Sequence, residues 1–126
     1  YFSSMEIIEA HPATKVDSPS GTAVRTAELM LASRGELGPV AAPHVDQRAR
    51  GQQVSSIPIH SLRMHGVVAK QDVILGGTGE LLTISHETLS PSSYEAGIML
   101  ALRAVSSVQG IVVGLDRIID LAAAAE

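Results

Sequence analysis

The sequence predicts an α+β fold, with a mixed sheet of about four strands and two helices on one face. Short strand-like runs and two segments of helical periodicity follow one another in the order strand, helix, strands, helix. The chain has 126 residues and is 45% hydrophobic, which is enough to bury a core in one domain of ordinary size. We therefore expect a single folded domain over residues 1–126.

A strand, a loop and a helix are predicted for the first part of the chain. Residues 5–10 form a short apolar run that is typical of a strand covered on both faces. Residues 11–19 include two prolines and indicate a loop. A helix then follows, with Ser20 as its N-terminal cap. Its apolar positions and its terminal glycine are Val24, Ala27, Leu31 and Gly35.

Three strands are predicted after a long polar segment. Residues 36–56 indicate a loop, and loops of this length are commonly functional or mobile. The β-branched and alternating runs at 57–63, 67–75 and 81–88 predict strands. The glycines of residues 76–79 predict a tight turn, so the last two strands should form a hairpin.

A second helix is predicted near the C-terminus. Ser92 and Glu95 have the spacing of a capping box, in which each side chain bonds the other residue's backbone N–H. Gly110 would end this helix. Its expected buried stripe is Tyr94, Ile98, Leu102 and Val105.

The predicted sheet needs cover on the face without helices. We expect Val67, Val73 and Leu75 to lie on that open face, where a second copy of the sheet would bury them. The sequence therefore predicts an oligomer formed through sheet faces.

Composition excludes several functions. The net charge of −4 and an aromatic content of 2% argue against a nucleic-acid partner. No apolar run is long enough for a membrane span, so no membrane partner is expected. The chain has no cysteine, which excludes disulfides and thiol catalysis and fits a cytoplasmic protein. The histidines do not have metal-ligand spacing, so no metal site is expected.

The segment that carries chemistry is Lys-Val-Asp-Ser-Pro-Ser-Gly-Thr, residues 15–22. Ser20, Gly21 and Thr22 open the predicted helix, where unpaired backbone N–H groups and the helix dipole favour an anion. The ammonium group of Lys15 adds a charge and a proton donor. The segment therefore predicts a pocket for a small anionic substrate. The alternative interpretation is an ordinary capped helix beside a solvated lysine.

The motif around this segment resembles the signature of the dihydrodipicolinate reductase family. The matching residues are Glu9-Ala10-His11, Lys15, Asp17 and Pro19-Ser20-Gly21-Thr22-Ala23. The resemblance continues through Ile59-His60-Ser61-x-Arg63, Gly79-Glu80, Ile84-x-His86 and Gly97, and so covers nearly the whole chain.

The resemblance implies a role for each matching site residue. His11 and Lys15 would be catalytic, since reduction of a cyclic imine puts hydride on carbon and a proton on nitrogen. Ser20, Gly21 and Thr22 would hold a carboxylate of the substrate. The product would be a tetrahydrodipicolinate in diaminopimelate and lysine biosynthesis.

The resemblance also implies a cofactor, a further domain and an oligomeric assembly. No G-x-G-x-x-G motif is present, so NADPH or NADH would be bound mainly by an N-terminal dinucleotide-binding domain absent from this chain. The chain alone would be the inactive substrate-binding and oligomerisation half of the enzyme. The assembly implied is a homotetramer built through sheet faces.

Two residues depart from the family pattern. Pro12 replaces a second histidine, and Pro91 stands where the family tends to have an arginine. Two alternatives therefore remain beside the main interpretation: a related reductase for a different cyclic imine, and a non-catalytic assembly domain. The retained Lys15 and Ser20-Gly21-Thr22 favour an enzyme, because an assembly domain has no need of them.

Overall fold

A mixed sheet crossed by one helix forms the first of the two units into which the chain divides. The computed structural model describes residues 1–35 and 48–119. Its two compact units comprise residues 1–89 and 90–126. The assignment of residues 1–126 to one domain stays a prediction.

Five strands make up the sheet, in the order β2-β3-β1-β4-β5. Strand β1 lies in the centre, parallel to β3 and antiparallel to β4. Strands β2 and β5 are the edges, antiparallel to β3 and β4 respectively. The strands are β1 (Ser4–Pro12), β2 (Gln52–Val54), β3 (Ile57–Met64), β4 (Ala69–Gly77) and β5 (Glu80–Thr88).

The α+β class is confirmed, but the sheet has one strand more than predicted. The additional strand, β2, lies within the predicted loop of residues 36–56, after a short 3₁₀ turn at Arg48–Arg50. It is a polar edge strand of three residues, too short for a periodic signal. Residues 36–47 of the same predicted loop lie outside the described residues.

Helix α1 (Gly21–Arg34) covers one face of the sheet. Its buried residues Ala23 and Ala27 contact the sheet side chains Ile7, Ile57 and Ile59. Small side chains let the helix approach the strands closely, and the branched side chains fill the space between them. Both predicted ends of the helix are confirmed, since Ser20 caps its start and Gly35, with φ of 55°, follows its last residue.

The strand register decides which side chains share a face. Ile7 pairs with Ile59 of β3 and with Val73 of β4, and residues opposite one another point to the same side. Val73 therefore packs against the core under α1. Leu75 has the same parity along β4 and lines an apolar groove beside α1. The prediction that these two residues lie on the open face is wrong.

The face of the sheet opposite α1 carries a different set of side chains. Alternation places Leu62 and Met64 there, and 39% and 48% of their surfaces respectively are exposed. Val67 precedes β4 and belongs to neither strand. The predicted hairpin is confirmed, because Thr78 and Gly79 join β4 to β5 and Gly79 adopts φ of 77°.

The second unit contains helix α2 (Glu95–Ala104), preceded by a 3₁₀ turn at Pro91–Tyr94. The cap of this turn is Ser90, whose hydroxyl accepts the Ser92 N–H, so the predicted capping box is wrong. The helix also ends at Ala104, earlier than the predicted Gly110.

The apolar residues predicted for one face of α2 have helical spacing, but they are not buried. Tyr94 is 45% exposed and Leu102 is 60% exposed. Periodicity specifies an apolar helix face, whereas burial requires a partner surface as well. In the described part of the chain, no helix is long and apolar enough to cross a membrane.

Candidate active site

The end of strand β1 places two titratable side chains on the face that α1 covers. Glu9 and His11 follow Ile7 at intervals of two residues, so all three share one face of the strand. On β3, the residues opposite Glu9 and His11 are Ser61 and Arg63. These polar residues thus lie beyond the apolar core, at the carboxyl ends of the neighbouring parallel strands β1 and β3.

Glu9 is the centre of a hydrogen-bond network. Its side chain has 0% exposure, and its two oxygens accept bonds from Arg63 Nη2 at 2.9 Å and Nη1 at 3.0 Å. His11 Nδ1 lies 2.5 Å from Glu9 Oε2, and the backbone N–H of Ser20 donates to Oε1 at 3.3 Å. A buried charge is tolerated only when it is paired and its oxygens are satisfied, and Glu9 meets both conditions.

The protonation state of Glu9 follows from these contacts. Burial by itself would raise the pKa of the Glu9 carboxyl. Hydrogen bonds from Arg63, Ser61 and His11 more than offset burial, so the pKa lies below its ordinary value. Glu9 is therefore a carboxylate at neutral pH.

Arg63 connects the sheet to the loop that precedes α1. Besides Glu9, its guanidinium donates to the backbone oxygen of Asp17 at 2.7 Å. The planar guanidinium matches a carboxylate in two parallel bonds and still has a donor left for the loop. One side chain therefore fixes both the buried carboxylate and the loop.

Lys15 lies on this loop, in a turn that begins at the end of β1. Its backbone N–H donates to the Pro12 carbonyl at 3.0 Å, and its ammonium Nζ lies 2.8 Å from Asp17 Oδ1. The hydrogen bond from Lys15 is the main cause that lowers the pKa of the Asp17 carboxyl. The lysine side chain is 28% exposed.

Pro12 belongs to strand β1, where it is opposite Met64. The prediction that the loop begins at His11 is therefore wrong, because β1 extends through His11 and Pro12. Pairing with β3 holds this part of the chain extended, and Ala13 N–H continues the pairing by donating to the Met64 carbonyl at 3.1 Å.

The start of α1 contributes backbone donors. Ser20 is 2% exposed, and its hydroxyl accepts the Ala23 N–H at 3.3 Å. Gly21 and Thr22 are exposed, and the first turn contains no acidic side chain that would neutralise the helix dipole. A Cβ placed on Gly21 would find no atom within 4 Å, so the space beside this residue is open.

These contacts connect the site residues expected from the sequence. Lys15 contacts Asp17, Asp17 contacts Arg63, and Arg63 contacts Glu9. Glu9 in turn contacts His11 and Ser20. The structure thus links residues from β1, the loop and the start of α1 in one network.

Sequence reasoning assigned no site role to Glu9 or Arg63. Both residues were part of the family motif, but their pairing bridges distant parts of the chain. The only local signal was the i, i+2 spacing of Glu9 and His11, which places them on one face of a strand. For Arg63 no local signal exists, because the parallel pairing of β1 with β3 creates its position.

His60 and an apolar groove beside α1 lie apart from this network. His60 Nε2 lies 2.6 Å from Glu6 Oε2 on the opposite face of the sheet. The apolar groove beside α1 has a volume of about 630 Å³ and is lined by residues such as Phe2, Leu29 and Leu75. It lacks the paired titratable groups that acid–base chemistry requires.

Comparison with known proteins identifies a family. Residues 1–119 match the family described as "Dihydrodipicolinate reductase, C-terminus". A 4-hydroxy-tetrahydrodipicolinate reductase of Clavibacter michiganensis subsp. michiganensis (strain NCPPB 382) is 73% identical over 121 residues, which cover 96% of this chain and 44% of that protein. A protein of the same name from Mycolicibacterium smegmatis (strain ATCC 700084 / mc(2)155) is 46% identical over 123 residues, covering 96% of this chain and 50% of that protein.

A solved structure shares the fold. It is described as "Dipicolinate bound Dihydrodipicolinate reductase from Paenisporosarcina sp. TG-14", and it aligns with a TM-score of 0.77 and 35% identity. The alignment covers 94% of this chain and 46% of that one. The chain thus spans about half the length of the relatives that it matches.

Proposed function

Because the chain belongs to the dihydrodipicolinate reductase family, we propose that it is the substrate-binding part of a 4-hydroxy-tetrahydrodipicolinate reductase. The longer protein would reduce a cyclic imine dicarboxylate in the biosynthesis of diaminopimelate and lysine. The chain alone would bind the dicarboxylate without reducing it.

The observation that carries this proposal is the network centred on Glu9. It ties His11, the Lys15 loop and the first residues of α1 to one end of the sheet. Cationic side chains and helix N–H groups are the partners that a dicarboxylate requires. The structural neighbour is described as dipicolinate bound, which supports the same class of ligand for this site.

Each residue of the site has a part in the proposed reaction. The exposed N–H groups of Gly21 and Thr22 would hold one carboxylate of the substrate. Ser20 would cap the helix by accepting the Ala23 N–H, and its hydroxyl proton would remain to donate to the same carboxylate. Lys15 would donate a proton to the ring nitrogen, and His11 would bind the substrate or relay that proton.

The hydride would come from NADPH or NADH bound by the part of the longer protein outside this chain. No glycine-rich phosphate-binding motif occurs in the 126 residues, which supports binding of the dinucleotide mainly by that other part. The residues of this chain therefore orient the imine and supply its proton.

Assembly and location complete the proposal. We place the enzyme in the cytoplasm, which is compatible with the cysteine-free sequence. We also propose a homotetramer through the sheet face opposite α1, because Leu62 and Met64 on that face remain part-exposed.

Two variants of the full-length protein test the proposed site. We expect Lys15→Ala to lower kcat by about a hundredfold or more through loss of the proton donor, without weakening cofactor binding. We expect Gly21→Ala to weaken binding of dipicolinate, because the new methyl group would occupy the approach to the helix N–H groups. The measurements are steady-state kinetics with the imine and calorimetry with dipicolinate.

Matched controls separate these effects from general damage. Arg25→Ala removes a cation from an exposed part of α1, and Ser33→Ala changes the other end of the same helix. Both controls should retain kcat and dipicolinate affinity. An unchanged kcat in Lys15→Ala would show that Lys15 is a solvated loop residue without a catalytic role.

The unmodified protein distinguishes the alternatives. If it binds dipicolinate but does not reduce the imine of the proposed reaction, a reductase for a different cyclic imine is favoured. Pro12 would then contribute to that different substrate preference. The absence of both binding and activity would favour a non-catalytic assembly domain.

A further inference from the structure

The contact between Glu9 and His11 fixes which nitrogen of the imidazole ring carries hydrogen. Glu9 is ionised and fully buried, and a carboxylate only accepts hydrogen bonds. His11 Nδ1 lies 2.5 Å from Glu9 Oε2, so Nδ1 must be the donor. Nε2 is then the ring nitrogen left to meet a ligand.

The other contacts of Glu9 make this arrangement rigid. Arg63 holds the carboxylate through two nitrogens, and the Ser20 N–H donates to Oε1. The carboxylate therefore cannot rotate away from His11 without breaking bonds to β3 and to the start of α1. The His11 side chain is 19% exposed, which leaves part of the ring accessible.

We propose that Glu9 is a positioning residue that holds His11 in the form with Nδ1 protonated and thereby leaves the Nε2 lone pair free to take up and pass on a proton at the substrate. Glu9 does not touch the substrate itself. Arg63 supports this role by pairing with Glu9 and by anchoring the Lys15 loop at Asp17. This inference rests on the proposed function of His11.

The variant Glu9→Gln tests the idea because an amide offers only one oxygen. Oε1 faces two groups that can only donate, Arg63 Nη2 and Ser20 N–H. Oε2 faces Arg63 Nη1 and the His11 ring, whose tautomer can change, so the amide oxygen should lie at the Oε1 position. The amide nitrogen would then face His11 Nδ1 and donate to it. Nδ1 would lose its hydrogen, and Nε2 would become the protonated ring nitrogen.

The direct measurement is the nitrogen spectrum of the histidine rings in the full-length protein. We expect the His11 signals, identified by their absence in His11→Gln, to show protonated Nδ1 in the wild type and protonated Nε2 in Glu9→Gln. His60 serves as an internal reference, since it contacts Glu6 on the other sheet face. Retention of protonated Nδ1 in a folded Glu9→Gln protein would overturn the proposal.

Kinetics provide a second test that a purely structural role would not satisfy. We expect Glu9→Gln to lower kcat by about tenfold or more, with the KM for the cofactor unchanged. The double variant Glu9→Gln/His11→Gln should lose no more activity than His11→Gln alone, because Glu9 acts through His11. Independent, multiplying losses would contradict the proposal. Glu28→Gln, on the exposed part of α1, is the control and should keep full activity.

A more conservative variant covers the case in which Glu9→Gln does not fold. Glu9→Asp keeps the negative charge for Arg63 but is shorter by one methylene group, so it cannot hold Arg63 and His11 equally well. We expect a folded Glu9→Asp protein with reduced kcat, and wild-type kcat there would overturn the positioning role. If His11→Gln itself leaves kcat and dipicolinate binding unchanged, the proposed function of the site fails. If His11→Gln loses activity while both Glu9 variants keep full activity, the positioning role of Glu9 is overturned and the proposed function of the site stands.

Discussion

Glu9 combines complete burial with full ionisation, and Arg63 makes the combination possible. Desolvation disfavours the charged carboxylate, whereas two bonds from the guanidinium and further bonds from Ser61 and His11 favour it. Removing Arg63 would leave the buried Glu9 carboxylate without its guanidinium partner, which is destabilising. The pair therefore has a structural role even before any ligand binds.

The low pKa of Glu9 predicts a change of stability in acid. Its pKa in the folded chain lies below the reference value of 4.5, so it binds a proton more readily when unfolded. Its contribution is fully present above the unfolded pKa and is lost as the pH falls through the folded pKa. We expect the free energy of unfolding, measured in urea from neutral pH to about pH 3, to decrease below about pH 4.5.

Variants isolate the part of this pH dependence of the free energy of unfolding that Glu9 causes. Glu9→Gln cannot take up the proton, so its stability should depend less on pH in that window, although it is lower at neutral pH. Glu28→Gln, at an exposed position, should retain the wild-type slope. Equal slopes in wild type and Glu9→Gln would show that the Glu9 pKa is not lowered by folding.

At the scale of the element, helix α1 serves both the core and the site. Ala23 and Ala27 pack against the sheet, while Gly21 and Thr22 at its start remain exposed. Ser20 lies between these parts, with its hydroxyl on Ala23 N–H and its own N–H on Glu9. The cap thus aligns the first turn of the helix with the buried carboxylate.

Loss of the cap should destabilise the chain without removing the contact to Glu9. Ser20→Ala keeps the backbone N–H but deprives Ala23 N–H of its acceptor, at an expected cost of about 1 kcal/mol. Urea unfolding measures this difference. Ser20→Thr restores a hydroxyl and should recover most of the stability, whereas Ser33→Ala should have little effect. A Ser20→Ala protein as stable as the wild type would show that the cap is energetically unimportant.

Strand β2 shows how an element can depend on a single glycine. Gly51 precedes it with φ of 69°, and a Cβ there would lie 2.5 Å from the Ile59 carbonyl oxygen. Only glycine accommodates this approach to β3 and the left-handed conformation together. The short strand then pairs with β3 and extends the sheet by one edge.

At the scale of the whole molecule, the two faces of the sheet differ in their cover. Helix α1 lies on one face of the first unit, whereas Leu62 and Met64 on the other face stay part-exposed. Charged contacts such as Glu6 with Arg50 and His60 also lie on this second face. A mixture of apolar and paired polar groups is characteristic of protein interfaces.

The proposed homotetramer is tested by a charge placed on this face. We expect the full-length wild type to sediment as a tetramer and Leu62→Glu to form smaller species, because the carboxylate would be buried without a partner. Leu82→Glu is the matched control. Leu82 is 44% exposed, compared with 39% for Leu62, but it lies on the face that α1 covers. Equal sedimentation of Leu62→Glu and wild type would exclude this face as the interface.

The sequence by itself determined the local elements and the family. The β-branched runs, the glycine turn before β5 and the serine cap of α1 act over a few residues, so their physical causes are visible in the sequence. The segment from Lys15 to Thr22 likewise indicated an anion site, because a lysine and a helix start are neighbours along the chain.

Only the tertiary structure decided which distant residues meet. The parallel register of β1 and β3 brings Arg63 to Glu9, and the register of β4 turns Val73 and Leu75 toward α1. A shift of one residue in either register would reverse the faces, and local propensity does not specify that choice. The protonated nitrogen of His11 is fixed in the same way, by a carboxylate whose charge depends on an arginine from another strand.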